Sequence, residues 1–353
     1  MLYAITSDTF LTNVTKEFLR RKLLEYDIKL IMPMHPGVFR ATVYSCILGL
    51  QKRQSIHNMI VYQDARTESD SELSKFAVDP KSSLTVEQSV YTNSFSSIFF
   101  VPKPHNIRLF SEVLTANGVI NVGKRCYIPL ELVAPALDTG IDTGNVRHML
   151  FYYDCPPGKK LPKLLQGKQV VRYWAVWDHP EARYRYVDIS YQPDPNRLGI
   201  GRGGRSSGKP EYWHFRGPIE NHHVEERLLM RQTEDEPFVG YIFQGDEKIY
   251  TDNTLHTLII TEQGEQMNMT YEYLLAVLNS STICAIYQAI TQEEGRTLAQ
   301  VKTTIVNRLP IAVPLPSEKQ YLEALVRSIW QVYKQNPFPL PLQPPNHFSA
   351  SMI

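Results

Sequence analysis

Leu2–Ser7 (LYAITS), Val14–Tyr26 (VTKEFLRRKLLEY), Ile28–Met32 (IKLIM) and Thr42–Leu50 (TVYSCILGL) are the stretches whose reading decides the fold. The first reads as a short buried strand. The second has helical spacing, with apolar residues at Val14, Phe18, Leu19 and Leu23. The other two are apolar strands, and Lys52 and Arg53 follow the last. A β-α-β-β series of this kind is part of a layered α/β sheet rather than a whole one. Parallel strands buried on both faces need neighbours. The first strand begins beside Met1, so residues 1–64 are expected to be a fragment completed from elsewhere.

Outward from this block, the chain of 353 residues has room for roughly two domains at about 150 residues each. Its 43% hydrophobic and 21% charged residues are those of an ordinary globular protein. A net charge of +1 gives no global basic excess, so any polyanion site must come from local clustering. Cys46, Cys126, Cys155 and Cys284 lie far apart with no CxxC spacing, which argues against a disulfide framework or zinc site and for a reducing cytoplasm. No apolar stretch of about 18 residues or more suggests a membrane span. The 20 tyrosines suit strand-rich packing, and less readily a stacking surface.

Residues 65–84 read as a polar linker. From 85 the pattern changes to short strands broken by Gly, Pro and Asp: Ser97–Val101, Tyr127–Pro129, Leu150–Tyr153, Arg183–Ile189, Arg227–Gln232, Phe238–Phe243 and Leu255–Thr261. Helices are expected at Thr270–Ala289 and Glu318–Gln335, with Leu309–Val313 extended between them. The second domain is thus placed at 85–335, irregular, β-rich and of α+β type. The Pro-rich residues 336–353 cannot continue a helix.

The segment Arg197–Arg216 (RLGIGRGGRSSGKPEYWHFR) sets Arg197, Arg202, Arg205, Lys209 and Arg216 against one acid, Glu211. Such cations can follow phosphates, and Tyr212 and Trp213 can stack on a base. A mobile, solubilising loop is an equally good reading. Its GxGxxG-like string lacks a leading strand and a following helix, so it is no dinucleotide cradle. His214, His222, His223 and His256 match no compact ligand signature. Asp246-Glu247-Lys248 reads as a turn. No catalytic residue and no metal site is assigned.

The order of motifs resembles the C-terminal part of adenine-specific DNA methyltransferases of restriction–modification and phage-defence systems, those with a TaqI-like C-terminal specificity domain. Ala4–Leu11 and Leu19–Leu24 resemble the strand and helix after that family's Asn-Pro-Pro-Tyr motif, and Gly37-Val38-Phe39 with Ser45–Lys52 its terminal hairpin. Thr139–Asn145, Leu165–Tyr173, Leu228–Thr233, Thr251–His256, Leu274–Ser280 and Arg308–Ile311 resemble successive segments of the specificity domain. The resemblance covers residues 1–315. It implies that 1–64 is the second half of a Rossmann-like methyltransferase sheet, followed by a target-recognition domain for double-stranded DNA. The family's S-adenosylmethionine-binding glycines and Asn-Pro-Pro-Tyr loop have no copy here. The chain alone is therefore expected to bind no donor and to need a polypeptide carrying the N-terminal half. A catalytically silent DNA-binding or inhibitory module of a defence system is the alternative.

By the same resemblance, Phe39 falls where an aromatic ring packs on the extruded adenine, though a core phenylalanine fits equally. Thr143, Asn145, Arg147, Arg172, Tyr173, Arg202, Arg205, Lys209 and Trp213 are the expected DNA contacts. For Arg172, pairing with an acid inside the domain is the alternative.

Overall fold

The computed structural model describes residues 1–35, 44–53, 55–66, 83–112, 114, 126–201, 204–234, 236–245, 247–292 and 299–336. Two compact units emerge. Met1–Pro129 with Ile286–Gln292 forms one, and the rest of the chain from Leu130 forms the other.

In the first unit, β1 (Leu2–Ser7), α1 (Glu17–Leu23), β2 (Asp27–Met34), β3 (Ser45–Gln51), β4 (Met59–Tyr62) and β5 (Leu84–Glu87) build a sheet of order β1-β3-β2-β4-β5. Only β2 and β4 pair in parallel. β3 runs antiparallel to both β1 and β2, with Ile5 opposite Ile47 and Ile31 opposite Leu48. The expectation of parallel strands is corrected accordingly. A Rossmann-like half-sheet is not established by this topology. The sheet also takes in β5, past the boundary expected at residue 64, and the unit continues to Pro129. Most of the expected linker, residues 67–82, lies outside the described residues, as does Phe39.

One expectation about burial is reversed. β1 was read as buried, yet it is the sheet edge and Leu2, Tyr3 and Ile5 are exposed. On α1 the apolar Phe18 and Leu19 face solvent while Arg20 is fully buried. The guanidinium of Arg20 explains this. It donates to the carbonyls of Phe10, Asn13 and Ser96, the last from both Nε and Nη2. Satisfying these carbonyls outweighs the burial of one more apolar stripe.

The second unit is the irregular β-rich part. Besides the short pair Val170–Val171 and Trp174–Ala175 and the strand Pro310–Ala312, its strands are β6 (Ala136–Leu137), β7 (Gly140–Asp142), β8 (Phe151–Tyr152), β9 (Lys163–Leu165), β10 (Tyr186–Val187), β11 (Leu198–Ile200), β12 (Ser206–Pro210), β13 (His214–Arg216), β14 (Glu226–Arg231), β15 (Val239–Phe243), β16 (Ile249–Thr251) and β17 (Leu255–Leu258). They form two four-stranded sheets, β15-β14-β17-β6 and β16-β9-β10-β8, and the pairs β11-β12 and β13-β7. The expected strand at Ser97–Val101 is absent; Ile98, Phe99 and Phe100 are buried extended chain after a single turn of 3-10 helix.

The helix expected over Thr270–Ala289 is broken into α2 (Tyr271–Leu278) and α3 (Ser281–Thr291). Asn279 marks the break. Its amide donates to the carbonyls of Val239 and Leu275, and its side-chain oxygen accepts from the Val239 N–H. A final helix, α4 (Pro316–Gln335), begins on a proline, which suits the first helical turn because its missing N–H would go unpaired there. From α4, Trp330 stacks on Tyr241 at 4.4 Å and donates to the Tyr173 carbonyl. Among the described residues, no single helix is long and apolar enough to cross a membrane.

Candidate nucleic-acid interface

The quoted motifs converge on two buried side chains. The first is Asp252, whose carboxylate accepts from the backbone N–H and hydroxyl of Thr254 and from the Gln166 amide at 2.6 Å. Thr254 in turn accepts from the Gly167 N–H, and Gln169 completes a capping box with Gln166. Gly140 lies against the Asp252 carbonyl at φ +107°, where a Cβ would stand 2.3 Å from that oxygen. Only glycine fits there. Burial pushes the Asp252 carboxyl above its ordinary value, while the Thr254 and Gln166 donors oppose that shift. Segments 139–145, 165–169 and 251–254 are therefore one structural node.

The second is Asn145. Its amide nitrogen donates to the Ser207 hydroxyl and the carbonyls of Lys209 and Pro210, and its side-chain oxygen accepts from the Tyr212 N–H. Its own carbonyl accepts from the Ile200 N–H. Gly199 allows this approach, since a Cβ there would fall 2.0 Å from the Asn145 side-chain carbon. Asn145 thus clamps the β11–β12 hairpin to the body of the unit.

These facts correct two expected DNA contacts. Asn145 is buried with its side chain fully engaged, and Thr143 is buried beside it. Trp213 is likewise turned inward. Its indole N–H donates to the Tyr191 carbonyl, and its ring packs edge-on to Phe215 against the core.

Arg172 pairs with Glu236 and lies 4.7 Å from the centre of the Phe238 ring, which Arg231 approaches at 4.3 Å. The alternative of a structural arginine is the one observed. Tyr173 has a left-handed backbone, φ +71°, and its N–H donates to the Val239 carbonyl. Arg147 is half-buried with its guanidinium 5.9 Å from the Phe151 ring. Arg202 lies outside the described residues.

Arg205 and Lys209 remain exposed on the hairpin. The lone acid of the segment, Glu211, is spent internally. It is buried, accepts from the Tyr191 hydroxyl and the Asp194 N–H, and pairs with Arg197 at 3.1 Å. The Tyr191 hydrogen bond holds its carboxyl below the ordinary range. Arg216 is consumed by Asp138 and Asp142. Among the described residues Arg205 and Lys209 have no acidic partner, so their charge is directed to solvent. Sequence reasoning found the cations but missed the hairpin carrying them. A glycine in each of its strands and the two serines of β12 hide any strand alternation.

Among the described residues, no group of three His, Cys, Asp or Glu is placed to hold a metal. His222 and His256 are instead buried singly, and burial pushes both imidazoles down.

Residues 162–311 match the TaqI-like C-terminal specificity domain. The match covers less than half of the chain, and it lies in the β-rich part that holds the Asp252 node and the hairpin. Similar solved structures include the type IIG restriction endonuclease BpuSI, with 14% identity, a TM-score of 0.33, and coverage of 92% of this chain and 42% of that one. The type IIL restriction-modification enzyme MmeI, solved with DNA, shows 10% identity, a TM-score of 0.43 and coverage of 96% and 42%. A type I restriction–modification complex gives 10%, 0.27, 61% and 40%. The chain spans about two fifths of the length of these structures. No curated protein matches it.

Proposed function

We propose that this chain supplies sequence-specific recognition of double-stranded DNA to an adenine-specific methyltransferase of restriction–modification or phage-defence type, acting in the cytoplasm. The observation that carries this reading is the Asn145-clamped hairpin, which presents Arg205 and Lys209 within the segment that matches the specificity family. We assign donor binding to a partner polypeptide and derive no methyl-transfer step here. The exposed Leu2, Tyr3 and Ile5 on edge strand β1 support that partnership, since an uncovered apolar edge invites pairing with another strand.

Each phosphate contact releases condensed counterions, so cations that touch DNA set the salt dependence of binding. Replacing Arg205 and Lys209 together by Ala is expected to weaken duplex binding across sequences. The slope of log affinity against log salt should flatten by about two units, at about 0.9 per contact. Fluorescence anisotropy over a salt series measures it. An unchanged slope removes the hairpin from the interface.

A further inference from the structure

The hairpin that bears these cations has a second face. β11 alternates: Gly199 is buried against Asn145, while Leu198 and Ile200 on either side of it are 56% and 41% exposed. Across the ladder Leu198 meets Pro210 and Ile200 meets Ser206. Gly208, between them on β12, has nothing within 4 Å of where a Cβ would stand. Among the described residues, the outward face of this two-stranded ribbon therefore presents two largely exposed aliphatic side chains and an exposed proline ring.

Bare aliphatics at a ribbon surface suit an apolar partner, but the surroundings suit an anion. Residues 195–210 contain Arg197, Arg202, Arg205 and Lys209 and no acid. One ligand answers both demands. A nucleic-acid duplex presents phosphates at its rim and flat apolar base faces within, and proteins reach those faces by inserting Leu or Ile between base pairs. We propose that Leu198 and Ile200 form an apolar wedge that parts a base step of double-stranded DNA while Arg205 and Lys209 hold the flanking phosphates. This rests on the reading of the chain as a DNA-recognition subunit and adds a role in distorting the duplex. The Asn145 clamp gives the wedge its rigidity, since a hairpin free to swing could not apply force to a stack. Opening a step also lowers the cost of taking a neighbouring base out of the helix, which any chemistry on that base requires.

Parting a base step unwinds the duplex, so the test is topological and needs no knowledge of the recognised sequence. A closed circular plasmid is relaxed by a topoisomerase in the presence of the full chain, and its linking number is read after the protein is removed. The native chain is expected to lower the linking number in proportion to protein bound. Leu198→Ala with Ile200→Ala, at solvent-exposed positions, should keep its melting temperature and lose most of the unwinding at equal occupancy. Leu198→Met with Ile200→Met, still apolar, should retain it. Plasmid binding by the native chain without unwinding overturns the wedge and leaves DNA recognition standing. Equal unwinding per bound molecule by the alanine pair also overturns it. Absence of plasmid binding overturns both readings.

Discussion

Asp252→Ala is expected to destabilise the second unit by about 3 kcal/mol, whereas Asp252→Asn should cost at most about 1 kcal/mol. The alanine leaves the Thr254 N–H, the Thr254 hydroxyl and the Gln166 amide facing a dry vacancy, and each orphaned buried donor costs about 1–3 kcal/mol. The full sum is not expected, because the native carboxylate itself resists burial, as its raised proton affinity shows. Asparagine keeps an acceptor for Thr254 and carries no charge to desolvate. Its NH2 would face the Gln166 amide, which can turn over and accept instead. Chemical denaturation of the two variants separates the cases. Equal losses would mean that the segment carrying Asp252 is held by its backbone alone.

Acid should weaken the same unit through His222. Burial, reinforced by the charge of Arg227, pushes this imidazole down to about 4 from an ordinary 6.5. The folded protein therefore keeps it neutral, while the unfolded chain takes up a proton below about pH 6.5. The stabilisation is complete above that pH and is lost as pH falls from 6.5 towards 4. The shift corresponds to about 3 kcal/mol. His222→Phe keeps the ring contacts with Phe215 and Tyr250 and removes the titration. Stability measured between pH 7 and 4 should fall less steeply in this variant. A residual slope is expected from buried His256, which burial shifts in the same direction. An unchanged slope would show that His222 is accessible to protons in the folded state.

The strong elements of both units were legible in the chain. β2, β3, β14, β15 and α4 stand where apolar runs and helical spacing place them. Strands of two or three residues, such as β6, β7 and β9, are too short to show a period, and only their partners across the sheet define them, whereas β8 and β10 fall inside expected strands. Helical spacing counts apolar residues and does not register that Arg20 is the buried side chain of α1, held by the carbonyls of Phe10, Asn13 and Ser96.

The cations of the hairpin are visible in the sequence, whereas the structural use of its polar neighbours is not. Thr143 and Asn145 have the chemistry of DNA-reading groups, yet an irregular β domain has many backbone donors and acceptors outside any ladder. It spends such side chains on them. Arg205 and Lys209 escaped that use because the one nearby acid, Glu211, was already bonded to Tyr191 and Arg197. Succession of motifs along the chain was the better guide, and the node at Asp252 gives its physical reason: those segments are adjacent in space.

The central claim, that this chain reads DNA sequence, is tested most directly by selection. The full chain is incubated with a pool of randomised duplexes, bound molecules are recovered over successive rounds, and the survivors are sequenced. The account predicts enrichment of one short common sequence that the Arg205→Ala, Lys209→Ala pair binds less tightly without changing its identity. Recovery of duplexes with no common sequence, or no recovery of duplex DNA at all, would contradict it.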